Sequence, residues 1–154
     1  MRAGSARRWR RSAGCASLAL RLVLADTSAW HRSARAEALW TELVEAGILA
    51  RCTPIALELL SSARSRAEHD RLANDLSSLP NLPIDRRVER IALGTQAALT
   101  GRSQHRGPTP VDLLIAAIAE VNGATLLHYD RHFDTIARVT GQPMEWLARR
   151  GSLD

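Results

Sequence analysis

The sequence predicts an α/β sandwich with a mainly parallel sheet, on two observations. Short apolar runs at residues 22–25 and 124–129 each stop at an aspartate, as buried parallel strands do when they hand over to a capped helix. Between and around them lie amphipathic stretches of helical period, opened twice by threonine-proline and closed by glycine. A chain of 154 residues suits one domain with one continuous core.

Residues 22–25 form the first expected strand and place Asp26 at its carboxyl end. Residues 34–46 carry Leu39, Trp40, Leu43 and Val44 at helical spacing and end at Gly47, a normal helix stop. A short strand is expected at 48–52. Thr53-Pro54 then opens a helix, with the threonine read as N-cap and the proline as the first helical residue. Ile55, Leu59, Leu60 and Ala63 run along this helix, and Glu58 interrupts them. Residues 67–78 read as another amphipathic helix, followed by a proline-bounded strand at 79–84. Residues 86–100 are helical again, with Val88, Ile91, Ala92, Thr95 and Leu99 on one side. A polar loop at 101–108 carries Arg102, His105 and Arg106. Thr109-Pro110 repeats the earlier start and leads into 111–121, the most apolar helix, which ends at Asn122-Gly123. The second buried strand, 124–129, stops at Asp130; a short helix at 131–140 is closed by Gly141; residues 143–147 form a last edge strand.

All 21 basic residues are arginine, and the formal net charge is +5. Arg2, Arg7, Arg8, Arg10, Arg11 and Arg21 precede Asp26, the first of the 16 acids, so the excess charge belongs to the N-terminal segment and the body is close to neutral. The basic balance is therefore no nucleic-acid footprint by itself. Residues 1–20 read as a poorly ordered arginine-rich extension and 21–154 as the domain. The extension is not read as a secretory signal, because Arg21 interrupts its apolar stretch and cleavage near Ala25 would remove the first strand. No run of roughly 18 apolar residues suggests a membrane span. Cys15 and Cys52 lack metal-ligand spacing, which fits a reducing cytoplasm.

Four acids stand where chemistry could use them. Asp26 and Asp130 lie at the carboxyl ends of parallel strands, where open α/β sheets bind ligands. Asp112 sits in the first turn of an apolar helix and Glu58 amid Ile-Ala-Leu-Glu-Leu-Leu, so both occur among residues headed for the core. Burial of either requires a partner, and no arginine lies within five residues of Glu58 or Asp112. A shared divalent cation supplies one, since it keeps clustered carboxylates ionised. An all-oxygen set without matching cysteines or histidines favours Mg²⁺ or Mn²⁺ over zinc, and such ions suit phosphodiester hydrolysis. Each acid also has a structural reading. Asp112, three residues after Thr109, completes a capping box; Asp26, Asp130 and Asp134 fit turn and helix-start positions. The set carries the functional reading rather than any single member.

Four segments in order, Val-Leu-Ala-Asp26-Thr-Ser-Ala-Trp, Thr-Pro-Ile-Ala-Leu-Glu58-Leu-Leu, Thr-Pro-Val-Asp112-Leu-Leu-Ile-Ala-Ala and Leu-Leu-His-Tyr-Asp130-Arg-His-Phe-Asp134, together resemble the PIN-domain ribonucleases, in particular the VapC-like toxins of type II toxin–antitoxin systems. The resemblance spans about residues 22–147 and includes the ending Thr-Gly-Gln-Pro-Met-Glu-Trp146. It implies a three-layer α/β/α PIN-like fold and a Mg²⁺- or Mn²⁺-dependent endoribonuclease that leaves 5′-phosphate and 3′-hydroxyl ends. It further implies an RNA substrate, a cognate VapB-like antitoxin and a homodimer. Asp26, Glu58, Asp112 and Asp130 match the metal-site positions, Thr27 and Ser28 the hydroxyl residues after the first aspartate, and Asp134 an auxiliary acid. His132 departs from the pattern, standing where related toxins often carry another aspartate. Trp40 and Trp146 read as packing residues. Alternatives are a PIN-fold binding module without catalysis, a housekeeping RNA-processing nuclease, and a haloacid-dehalogenase-like phosphatase. The last would need a second aspartate at position 28, where Ser28 stands.

Overall fold

A computed structural model describes residues 21–153, so the expected extension over 1–20, with Cys15, lies outside the described residues. Strands β1 (Val23–Ala25), β2 (Leu49–Ala50), β3 (Thr125–His128) and β4 (Met144–Trp146) form one sheet in the order β2-β1-β3-β4, parallel throughout. In its register Leu24 faces Ala50 and Leu126, and Leu127 faces Glu145.

The strands at the sheet centre are buried at every position because both faces are covered, the polar Thr125 and His128 of β3 included. Leu24 and Leu126 point to one side, into a core built with α3 (Thr53–Ser61), α4 (Arg66–Ser77), α5 (Arg86–Thr100), α6 (Pro110–Val121) and α7 (Arg131–Thr140). Val23, Ala25 and Leu127 point the other way, against Ala29 of α1 (Thr27–Trp30) and Leu43 of α2 (Glu37–Glu45). This is the three-layer α/β/α arrangement that the resemblance implied. Gly47 and Gly141 end α2 and α7 at φ of 63° and 70°, the left-handed region that glycine enters at least cost. Among the described residues, no helix is long and apolar enough to cross a membrane.

Three local expectations need correction. The strand expected at 79–84 is a single parallel bridge from Asn81 to Arg51, in which the Arg51 N–H reaches the Pro80 carbonyl at 2.9 Å and Leu82 N–H reaches Arg51 O at 2.8 Å. Pro80 and Pro83 have no N–H with which to continue a ladder. Thr53 is the first helical residue of α3 rather than its cap; Cys52 holds the cap position without a side-chain bond. The segment before α2 begins as a 3-10 turn, Ser33–Ala36.

Candidate active site

Each of the three aspartates stands where a helix begins. Asp26 follows β1, and its N–H extends the sheet by bonding Leu127 O at 2.8 Å. Its carboxylate caps α1, accepting from Ser28 N–H at 2.9 Å. Asp130 follows β3 and caps α7, accepting from His132 N–H at 2.9 Å. Asp112 is the third residue of α6 and closes a reciprocal capping box: Thr109 N–H donates to its Oδ2 at 2.7 Å, and its own N–H donates to Thr109 Oγ1 at 3.1 Å. The capping reading of these acids is thus correct, and it leaves the functional one intact. The backbone N–H bonds to Asp26, Asp112 and Asp130 reach Oδ2, Oδ2 and Oδ1 respectively.

The electrostatics tie them into one group. Asp26 is 5% exposed, and burial pushes its carboxyl above the ordinary range against the opposing hydrogen bonds of Ser28; repulsion from Asp112 pushes it further. Asp112 is raised chiefly by burial as well, with repulsion from Asp130 added and the Thr109 bonds and His132 opposing. No cationic side chain figures among the main influences on Asp26. Ser28 joins the two site strands: its side chain bonds Asp26, and its Oγ accepts Tyr129 N–H at 2.9 Å. Thr27 donates its hydroxyl to Glu58.

Glu58 departs from expectation in one respect. The apolar residues around it suggested burial, but Glu58 lies on the exposed side of α3 beside Leu57, which is 64% exposed. Ile55, Ala56 and Leu59 turn into the core and Leu60 packs against its edge, so a charge drawn inward and in want of a partner is found at Asp26 and Asp112 and not at Glu58. What brings Glu58 to the site is its bond from Thr27, together with a charge that reaches Cys52 along with that of Asp26. Cys52 itself, which belongs to no motif in the sequence, lies between these two acids. Burial pushes its thiol up to about 11, so it stays protonated at neutral pH and is a poor metal ligand.

His132, the departure from the family pattern, turns its Nδ1 toward two carboxylates, 3.7 Å from Asp130 and 4.0 Å from Asp112. Asp134 turns away: its Oδ1 accepts Trp146 Nε1–H at 2.9 Å, tying α7 to β4. Trp146 packs on His128 and Tyr129, and Trp40 edges Trp30 at 4.7 Å, as packing residues do. Arg32 donates to Ser28 O at 3.2 Å and lies over the Tyr129 ring. His128 is buried between Phe133 and Trp146, with burial pushing its pKa down.

Among the described residues, no three His, Cys, Asp or Glu side chains are gathered tightly enough to hold a metal ion as they stand. The donor set nevertheless suits a hard divalent cation: oxygen donors only, with two carboxylates penalised by burial and mutual repulsion that positive charge would relieve.

A sequence profile for the PIN domain matches residues 23–139. The ribonuclease VapC18 of Mycobacterium tuberculosis is 39% identical over 132 residues, covering 83% of this chain and 96% of its own. Ribonuclease VapC51 of the same organism is 42% identical over 139 residues, covering 89% and 100%. Among solved structures, VapBC2 from Rickettsia felis, bound to a DNA fragment from its promoter, matches with a TM-score of 0.67 at 16% identity, over 81% of this chain and 98% of that one. DNA-bound VapBC from Salmonella typhimurium matches with a TM-score of 0.66 at 20% identity, over 84% and 100%.

Proposed function

This chain belongs to the PIN-domain family, and from that premise we propose that it is a divalent-metal-dependent endoribonuclease acting as the toxin of a VapBC-type pair. The observation that carries the reading is the chain of repulsion among three acids at helix starts, in which Asp112 raises Asp26 and Asp130 raises Asp112, with the His132 imidazole opposing at Asp112. Asp26, Glu58, Asp112 and Asp130 are the residues that would hold Mg²⁺, with Mn²⁺ as the alternative. A divalent ion there supplies Lewis-acid stabilisation of the phosphoryl charge and a more acidic water.

The protein's own groups do the positioning. Ser28 fixes Asp26 against β3, the Thr27 hydroxyl aims Glu58 inward from an exposed helix face, and the capping box fixes the direction of Asp112. Asp134 acts at one remove by anchoring α7 to Trp146. RNA is the substrate, a small VapB-like antitoxin is the partner, and two copies assemble as a homodimer. Leu93, 67% exposed on α5, offers apolar surface for such an assembly.

The direct test incubates purified protein with total RNA and Mg²⁺ beside Asp26→Ala, Asp112→Asn and Glu58→Gln. The expected outcome is cleavage by the parent, abolished by EDTA, and a loss of at least a hundredfold in each aspartate variant. Equal cleavage by all four proteins, or cleavage indifferent to EDTA, refutes the proposed site.

A further inference from the structure

Beside the carboxylates, on the outer face of α7, lies a recess of about 230 Å³ lined by Arg131, His132, Asp134, Thr135, Arg138 and Arg150. Arg131 and Arg138 stand two helical turns apart on one side of α7, and Arg150 comes from the segment after β4. Among the described residues none of these three exposed arginines forms an ion pair. Two of the three are held in place. Arg138 donates from Nη2 to Thr135 Oγ1 at 3.0 Å, while the Arg150 guanidinium lies 5.9 Å from the Trp146 ring centroid. The single carboxylate in the lining, Asp134, already accepts a hydrogen bond from Trp146.

Three exposed guanidiniums around one recess, with no ion pair among the described residues, make an anion site, because the fork of Arg donors matches phosphate geometry. The recess is continuous with the carboxylates through His132, which lines it and also faces Asp130 and Asp112. A polyanionic strand entering a carboxylate site meets repulsion there, and a near-neutral body offers little general attraction. Local cations beside the site are what can hold it.

We propose that this recess is a phosphate subsite that binds a non-scissile phosphodiester of the RNA strand and so sets the strand's path past the carboxylates. It rests on the nuclease reading above. RNA is favoured over an acidic protein segment because His132 lines the recess and also faces Asp130 and Asp112 of the proposed nuclease site.

The test measures binding of a fluorescent single-stranded RNA by anisotropy across a salt series, in an Asp112→Asn background that separates binding from cleavage. Arg138→Gln/Arg150→Gln should weaken binding at least tenfold and reduce the slope of log K against log salt by about 0.7 for each phosphate no longer neutralised. Arg138→Lys/Arg150→Lys should recover part of the affinity and the full slope, since charge is kept and only the fork is removed. Unchanged affinity and slope in the Gln variant, beside a parent that cleaves RNA, overturns the subsite alone. A parent that neither binds nor cleaves RNA overturns the nuclease reading and the subsite with it. Weakened binding of a poly-glutamate peptide with RNA binding intact makes the recess a protein dock and also overturns the proposal.

Discussion

Replacing Asp112 separates its two roles, because asparagine keeps the capping oxygen and discards the charge. Asp112 has only 15% of its side chain exposed and accepts Thr109 N–H at 2.7 Å. Alanine removes that acceptor and so the reciprocal half of the capping box, and a lost hydrogen bond of this kind costs about 1 kcal/mol, or roughly 4 °C in Tm for a domain of this size. Asparagine retains it and relieves the repulsion that Asp112 exchanges with Asp26 and Asp130. In EDTA, then, Asp112→Ala should melt several degrees below Asp112→Asn, which should itself melt level with the parent or above it. Adding Mg²⁺ at about a hundred times its Kd should stabilise the parent by about 2.7 kcal/mol, roughly 10 °C, through mass action on the folded state. Neither variant should gain a comparable shift. Differential scanning calorimetry in EDTA and in Mg²⁺ reads all six values. An asparagine variant that melts as low as the alanine variant in EDTA would refute the claim that the oxygen at position 112 holds the Thr109 N–H. One that keeps the full Mg²⁺ shift would remove Asp112 from the metal site.

Two further expectations follow from the same side chains. Asp26 and Asp112 titrate above the ordinary 3.8 in the folded protein, which therefore binds more protons than the unfolded chain between that value and the raised ones. Their contribution to ion-free stability is greatest below that window and is lost as pH rises through it. The urea midpoint of Asp26→Asn/Asp112→Asn relative to the parent, in EDTA, should consequently climb from about pH 4 upward, and a flat difference would contradict it. Ser28→Ala strands the N–H of buried Tyr129, at a cost of about 1–3 kcal/mol, and slackens Asp26, so both urea stability and RNA cleavage should fall. A stability loss below about 0.5 kcal/mol would show that Ser28 does not join the strands.

What is legible in the sequence is mostly what local chemistry decides. Thr109 caps the helix expected to follow it, Gly47 and Gly141 close theirs, and the apolar runs ending at Asp26 and Asp130 are the central strands. The aspartates are legible for the same reason, because a strand end and a helix start mark them. Glu58 stands out for the wrong cause: apolar neighbours in a helix do not bury a residue whose azimuth faces outward, and its place depends on Thr27, 31 positions away in the chain. The tie from Ser28 to Tyr129 spans 101 residues and the tie from Trp146 to Asp134 spans 12; neither leaves a local pattern. At 79–84 the apolar content points to a strand, but two prolines deny it donors. His132 shows in the sequence only as an absence of acid, whereas its position between two carboxylates depends on the approach of α6 to α7.

The placement of each aspartate at a helix start has a consequence for heredity. Codons for aspartate and asparagine differ by a single base, and asparagine is an equally good helix cap. On the proposed site, a change to asparagine at Asp26 or Asp130, or at Asp112, where asparagine keeps the oxygen that accepts Thr109 N–H, therefore silences the enzyme while the folded surface persists. Selection acting on folding alone would not see the change, so each generation's guard over these three codons must come from the activity itself. A cell poisoned by such a protein has a ready escape in those codons, and the lineage that takes it keeps a stable, inert copy still shaped to meet its partner.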